Sequence, residues 1–247
     1  LAFKDFAMQV IAKMFAKTLP KKNLKINIVT ATSGDTGSAA VEAFKAVSNV
    51  NLYVLYPHGR ISQIQRMQMT TSNANNIKVF AVKGTFDDCQ SIVKGLFADK
   101  DLVRDVNLSG VNSINWARIL VQIVYYFSAF YQMKDFSERK LSFSVPTGNF
   151  GDAYAGYLSK KMGLPINKII VATNKNDILD RVFKTGIYKS SGVSKTISPS
   201  MDIQVASNYE RFLFNLMSND TNEVSKKMNK LYKKGSFKLD KENTALI

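Results

Sequence analysis

The 247 residues hold one cysteine, one histidine and one tryptophan, and each scarcity removes a class of protein. A lone thiol, Cys89, closes no intrachain disulfide, which excludes a disulfide-stapled secreted scaffold and predicts a reducing, cytoplasmic setting. His58 has no second imidazole to work with and Cys89 is distant in sequence, so no metal centre is expected. In its context, YPHGR, His58 reads either as a structural residue or as a phosphate contact. Long apolar runs are missing too. ILVQIVYYFSAF, at 119–130, is interrupted by Gln122 and Ser128 and is too short to cross a bilayer, and no charged-then-apolar leader opens the chain, so no membrane partner is expected. Neither the Walker A pattern nor GxGxxG occurs, which leaves nucleoside triphosphate binding without its usual signature. Acidic residues are few: 19 Asp and Glu stand against 34 Lys and Arg, a net charge of +15. That sign suits nucleic acid, but the lysines are scattered. Their densest cluster, SKKMNKLYKKGSFK at 225–238, reads as a solvated face, and no nucleic-acid partner is expected. A small anionic substrate would gain from the same field.

Hydrophobic residues supply 45% of the chain, enough for a sizeable core in one large or two small domains. Phe3, Phe6, Val10 and Met14 fall at helical spacing and predict an amphipathic helix with Lys4 near its start. INIVTA at 26–31 is a β-branched run suited to a strand buried on both faces, and a small-residue helix follows it. The alternation repeats: strands at 51–57, 77–84, 141–146 and 168–174, with helices at 63–69, 86–99, 116–133 and after 152. Trp116, Phe127 and Phe130 read as core on the long helix, and Ser207 with Glu210 three residues on reads as a capping box. Such alternation predicts an α/β fold with mainly parallel sheets flanked by helices, and a ligand site beyond the carboxyl ends of the strands.

Two strand-to-helix loops share a design. TSGDTG at 32–37 sets Gly34 and Gly37 around Asp35, and TGNFGD at 147–152 sets Gly148 and Gly151 around Asn149 and Phe150. Glycines let backbone N–H groups converge, and the helix that follows adds the positive end of its dipole, so each loop can cradle an anion. Helix capping alone would explain either loop taken singly. Lys4, between Phe3 and Phe6, raises a separate question, because an ammonium beside aromatic rings either snorkels to water or is held there for chemistry.

Six ordered segments, LAFKDF, ATSGDTGSAA, YPHGRISQIQRMQMTT, NSINWARI, PTGNFGDAYAGY and SPSMDIQVASNYERFLF, together resemble the threonine synthase family in its bacterial and fungal branch, from residue 1 to about Phe214. The resemblance implies the tryptophan-synthase β-like architecture, fold type II, and pyridoxal 5'-phosphate as cofactor. It implies that Lys4 is the Schiff-base lysine, both nucleophile and base, in surroundings apolar enough to leave it partly neutral. It assigns Gly148, Asn149, Phe150 and Gly151 to the cofactor phosphate and Asp35 to the cofactor's 3-hydroxyl. Ser33, Gly34, Thr36 and Gly37 would meet the substrate carboxylate. Arg60, Lys83, Ser113, Asn115 and Arg118 are the candidates for the substrate phosphate. Asp152 stands where an Asn is more familiar, and a carboxylate beside a phosphate is tolerable only with its side chain turned away. The implied reaction converts O-phospho-L-homoserine and water to L-threonine and phosphate. A serine/threonine dehydratase using the same cofactor, and a non-catalytic binder of phosphorylated ligands, are the alternatives. Because the chain starts on Leu and family members carry further segments, residues 1–247 are expected to be one catalytic region of two intertwined α/β subdomains, truncated at both ends and of open oligomeric state.

Overall fold

The computed structural model describes residues 2–133 and 140–245, so the first residue of the opening LAFKDF segment and the last two residues of the tail lie outside it. The chain divides into two compact units, Leu1–Val121 and Gln122–Ile247.

In the first unit, helix α1 (Phe3–Thr18) precedes strand β1 (Ile26–Ala31), helix α2 (Asp35–Phe44), strand β2 (Val50–Pro57), helix α3 (Gln63–Thr70), strand β3 (Ile77–Val82), helices α4 (Phe86–Ala98) and α5 (Lys100–Asp105), strand β4 (Leu108–Ser109) and the start of helix α6 (Trp116–Gln132). The four strands form one parallel sheet in the order β3-β2-β1-β4. Alternation along a strand divides the side chains between two cores. Ile28 of β1 with Val50, Leu52, Val54 and Tyr56 of β2 join Met8, Ile11 and Ala12 of α1 and Ala39, Ala40, Val41 and Phe44 of α2. Val29, Ala31 and Leu55 point the other way, to Cys89 and Val93 of α4. Each Val, Leu, Ile, Phe or Met among them contributes about 1.5–3 kcal/mol on burial. A parallel sheet covered on both faces is what the β-branched runs predicted.

The second unit takes the rest of α6 and adds strand β5 (Leu141–Pro146), helix α7 (Gly151–Lys161), strand β6 (Ile166–Ala172), helix α8 (Ile178–Thr185), strand β7 (Ile187–Lys189), helices α9 (Tyr209–Leu216) and α10 (Thr221–Lys234), strand β8 (Ser236–Lys238) and helix α11 (Lys241–Ala245). β5 and β6 pair in parallel, while β7 and β8 form an antiparallel pair. Phe150, Phe183, Tyr209 and Phe212 make a cluster of tilted and edge-on rings, with centroids 5.5–6.2 Å apart. On α10 Lys226, Lys230, Lys233 and Lys234 are exposed, Lys227 is half-buried, and Val224, Met228 and Leu231 are buried.

Three expectations are corrected. The apolar stripe of α1 is not its buried face: Phe3, Phe6, Val10 and Met14 are 41, 52, 40 and 54% exposed, while Ala7, Met8, Ile11 and Ala12 are buried. Met8, Ile11 and Ala12 of the helix share a core with Ala39, Ala40, Val41 and Phe44 of α2. Trp116 is half exposed rather than core, and Phe127 and Phe130 are half-buried; Ile119, Ile123 and Tyr126 are the buried apolar residues of α6. Ser207 does not cap α9. Asn208 occupies the N-cap position without a side-chain cap bond, and the Ser207 hydroxyl donates to Asn149 Oδ1 at 3.1 Å instead.

Candidate active site

Lys4 lies in α1, ahead of every strand, while the other charged or loop residues singled out in the first unit follow the carboxyl end of a strand. The 32–37 loop follows β1, Arg60 follows β2, Lys83 follows β3, and Ser113, Asn115 and Arg118 follow β4. Arg60 and Lys83 are exposed, and the backbone N–H of His58 donates to the Val82 carbonyl at 2.9 Å, tying the two strand ends together. Arg60 also adds to the field on Asp88, although the main reason that carboxyl lies below its ordinary value is its pair of bonds from Thr85. Asn115 accepts from Ala117 N and donates to the Gly110 carbonyl, both at 2.9 Å, so it orders the turn into α6. Arg118 is 1% exposed and donates from Nη1 to the Val111 carbonyl at 3.2 Å, which puts its guanidinium inside the fold. Cys89 is fully buried on α4, and burial pushes its thiol up to about 11, so it is no nucleophile at neutral pH.

The 32–37 loop is built around a residue that glycine-spacing reasoning passes over. Thr32 Oγ1 accepts from the N–H groups of both Gly34 (2.9 Å) and Gly37 (2.8 Å). Those two amides are therefore engaged in shaping the loop, and Ser33 and Thr36, both half-buried, are its other members. Gly34 sits at φ +133°, a conformation open to glycine, and Asp35 begins α2.

Lys4, in the first turn of α1, places Nζ 2.9 Å from Asp35 Oδ2, with the two side chains 14 and 26% exposed. The ammonium lies 5.2 Å from the centre of the Phe3 ring, over its face. An apolar enclosure for this lysine is thus corrected: Phe6 is half exposed and the partner of Lys4 is a carboxylate. The other carboxylate oxygen, Asp35 Oδ1, accepts a short hydrogen bond from Gln65 Nε2. Gln65 was not anticipated as a site residue. Its spacing from Ser62 carries a cap signal, and Ser62 does cap α3 by accepting from Gln65 N at 3.2 Å.

In the second unit the 147–152 loop repeats the design. Thr147 Oγ1 accepts from Phe150 N at 3.1 Å, as Thr32 does in the first loop, and donates a short bond to Asp152 Oδ1, which also accepts from Ala153 N at 2.9 Å. The Asp152 carboxylate is turned onto that hydroxyl. Phe150 is the N-cap of α7 in the left-handed region, φ 62°, and makes no side-chain cap bond. Its ring is buried, anchoring the loop in the aromatic cluster. Among the described residues, the N–H groups of Gly148, Asn149 and Gly151 have no protein acceptor, the arrangement that suits an anion at a helix start. A Cβ on Gly148 would lie 3.0 Å from Met201 Cα and 3.1 Å from the Ser200 carbonyl. The SPSMD segment is pressed against the loop there. It is ordered by Asp202, whose Oδ1 accepts from Asn174, Asn176 and Thr196 at 2.8, 3.0 and 2.7 Å. The Asn149 carbonyl accepts from Asn208 N at 3.0 Å, so two segments far along the chain hold this one loop.

The threonine synthase of Pseudomonas aeruginosa is 47% identical over 240 residues, which cover 97% of this chain and 51% of that protein. The threonine synthase of Saccharomyces cerevisiae is 50% identical over 225 residues, 87% of this chain and 44% of the relative. A crystal structure of pyridoxal-phosphate-bound threonine synthase from Brucella melitensis superposes with a TM-score of 0.91 at 48% identity, covering 100% of this chain and 53% of that one. The chain spans about half the length of these relatives. The family described as pyridoxal-phosphate dependent enzymes matches residues 1–228, and with its parallel, helix-covered sheets the chain belongs to that family and has the fold type II architecture.

Proposed function

We propose that the protein containing this chain is a threonine synthase, converting O-phospho-L-homoserine and water to L-threonine and phosphate. The observation that carries the reading is Lys4 held 2.9 Å from Asp35 at the carboxyl edge of a parallel sheet, in a chain about half identical to threonine synthases. The residues fit pyridoxal 5'-phosphate. The N–H groups of Gly148, Asn149 and Gly151 at the α7 N-terminus offer donors for its phosphate, and Lys4 offers the amine that would hold it covalently. When bound, that cofactor supplies an electron sink for carbanions at amino-acid carbons. Lys4 would then move protons one at a time at Cα, Cβ and Cγ as phosphate leaves Cγ and water adds at Cβ, the proton left over from the water departing with the phosphate as hydrogen phosphate. Asp35 keeps the amine in place for these transfers, and its charge offsets the ammonium each time Lys4 holds a proton. Arg60 and Lys83, exposed at neighbouring strand ends, and Ser113 are the partners proposed for the substrate phosphate. Ser33 and Thr36 are those proposed for its carboxylate. We place the enzyme in the cytoplasm, with a small-molecule substrate and no nucleic-acid partner. Among the described residues, no helix is long and apolar enough to cross a membrane.

The test is phosphate release and threonine formation from O-phospho-L-homoserine by the full-length protein. Equal amounts of both products are expected, with kcat reduced by about a thousandfold or more in Lys4→Ala. Serine or threonine deamination without phosphate release would transfer the chain to a dehydratase, and no turnover of any of these would end the reading.

A further inference from the structure

Gln65 occupies a position that helix capping does not explain. Its backbone N–H and its side-chain Oε1 both engage Ser62 Oγ, at 3.2 and 3.0 Å, and its Nε2 extends beyond the cap to Asp35 Oδ1. A carboxylate only accepts, so the donor end of the amide must face Asp35, and the Ser62 hydroxyl directed at Oε1 locks that orientation. The two oxygens of Asp35 are thereby divided, Oδ1 to Gln65 and Oδ2 to Lys4.

A second observation points the same way. A Cβ on Gly34 would fall 2.0 Å from Gln65 Oε1 and 2.5 Å from Gln65 Cδ. The absence of a side chain at 34 is thus what allows the amide to reach the carboxylate at the start of α2. Sequence spacing explains Gly34 by backbone conformation alone, and the structure adds a neighbour that needs the space.

We propose that Gln65 is a positioning residue of this site. Its amide fixes the rotamer of Asp35, so that Asp35 presents one oxygen to the Lys4 amine. The proposal rests on Lys4 being the cofactor lysine, as proposed above. The chemical logic is that of a neutral donor behind a charged pair: a hydrogen bond to one carboxylate oxygen favours the anion and restrains the torsion that would carry the other oxygen off its partner.

The experiment uses the full-length protein, with Gln65→Met, which keeps length and bulk but removes the donor, and Gln65→Glu, which places a second carboxyl against Asp35. The first readout needs no cofactor: acylation of Lys4 by acetic anhydride in the apoprotein, read by peptide mass mapping against the other lysines of the same sample. The second is the rate at which pyridoxal phosphate becomes reducible onto Lys4 by borohydride. In Gln65→Met Asp35 is no longer held in this rotamer against the ammonium, and Lys4 acylation is expected to rise about fivefold or more relative to the other lysines. In Gln65→Glu the added negative charge is expected to slow it. The borohydride-trapped rate changes in both variants. A residue that only caps α3 would lower Tm and leave Lys4 untouched. Lys4 acylation and trapping within about twofold of wild type in both variants overturn the proposal, whatever Tm does. If wild type traps no cofactor at Lys4, the functional reading falls, and the acylation comparison still decides whether Gln65 governs Lys4.

Discussion

Lys4 shows how a single residue can be singled out by pattern and misjudged in its surroundings. Its place between two phenylalanines invites an apolar pocket, yet both rings are substantially exposed and the amine is bound by Asp35. The partner comes from 31 residues along the chain, at the start of another helix, and nothing in the local spacing announces it. Asp88 offers a test of the same electrostatics away from the site. It accepts from Thr85 N at 2.7 Å and Thr85 Oγ1 at 2.8 Å, and these bonds hold its carboxyl below the ordinary 3.8. A carboxyl depressed on folding stabilises the protein above its unfolded value and loses that contribution as pH falls through the folded one. Thermal melts of Asp88→Ala against wild type should therefore show a Tm difference at neutral pH that closes as pH drops below about 3.8. A difference that persists unchanged in acid would mean that the carboxylate is not the stabilising group.

At the level of elements, much of the fold was legible. The β-branched runs became the parallel sheet, and the two glycine loops sit at strand-to-helix turns as predicted. The side of α1 that is buried was not legible, because the helix carries a second apolar stripe, Ala7, Met8, Ile11 and Ala12, beside Phe3, Phe6, Val10 and Met14, and it is the former that packs in the core. Nor was the antiparallel pairing of β7 with β8, since strands of three residues carry too little alternation to register. In the loops the glycines were visible and the threonines ahead of them were not, although Thr32 and Thr147 bind the loop amides. Thr32→Val orphans two N–H groups and Thr147→Val one, each at a cost of about 1–3 kcal/mol. In denaturant unfolding Thr32→Val should be the more damaging of the two, and equal, negligible losses would show that the hydroxyls do not shape these loops. Gly148→Ala should weaken cofactor binding as well as stability, because its new Cβ would press on the backbone of Ser200 and Met201, which cannot rotate aside.

At the scale of the whole molecule, the chain accounts for about half of the relatives it matches, and it leaves large apolar side chains uncovered. Phe6, Val10 and Met14 lie along one stripe of α1, away from its core. The isolated chain is expected to bind an apolar dye and to self-associate. Val10→Lys with Met14→Lys should reduce both while moving stability by no more than about 0.5 kcal/mol, since neither side chain is buried. A large loss of stability in that double variant would place the stripe inside a core.

Borohydride reduction of the full-length protein with pyridoxal phosphate, followed by peptide mapping beside a Lys4→Ala control, asks most directly whether this lysine is the centre of the site. A single label on Lys4, absent from the control, is the result expected. Labels scattered over many lysines and unchanged in the control would contradict the assignment of Lys4 and, with it, the proposed mechanism.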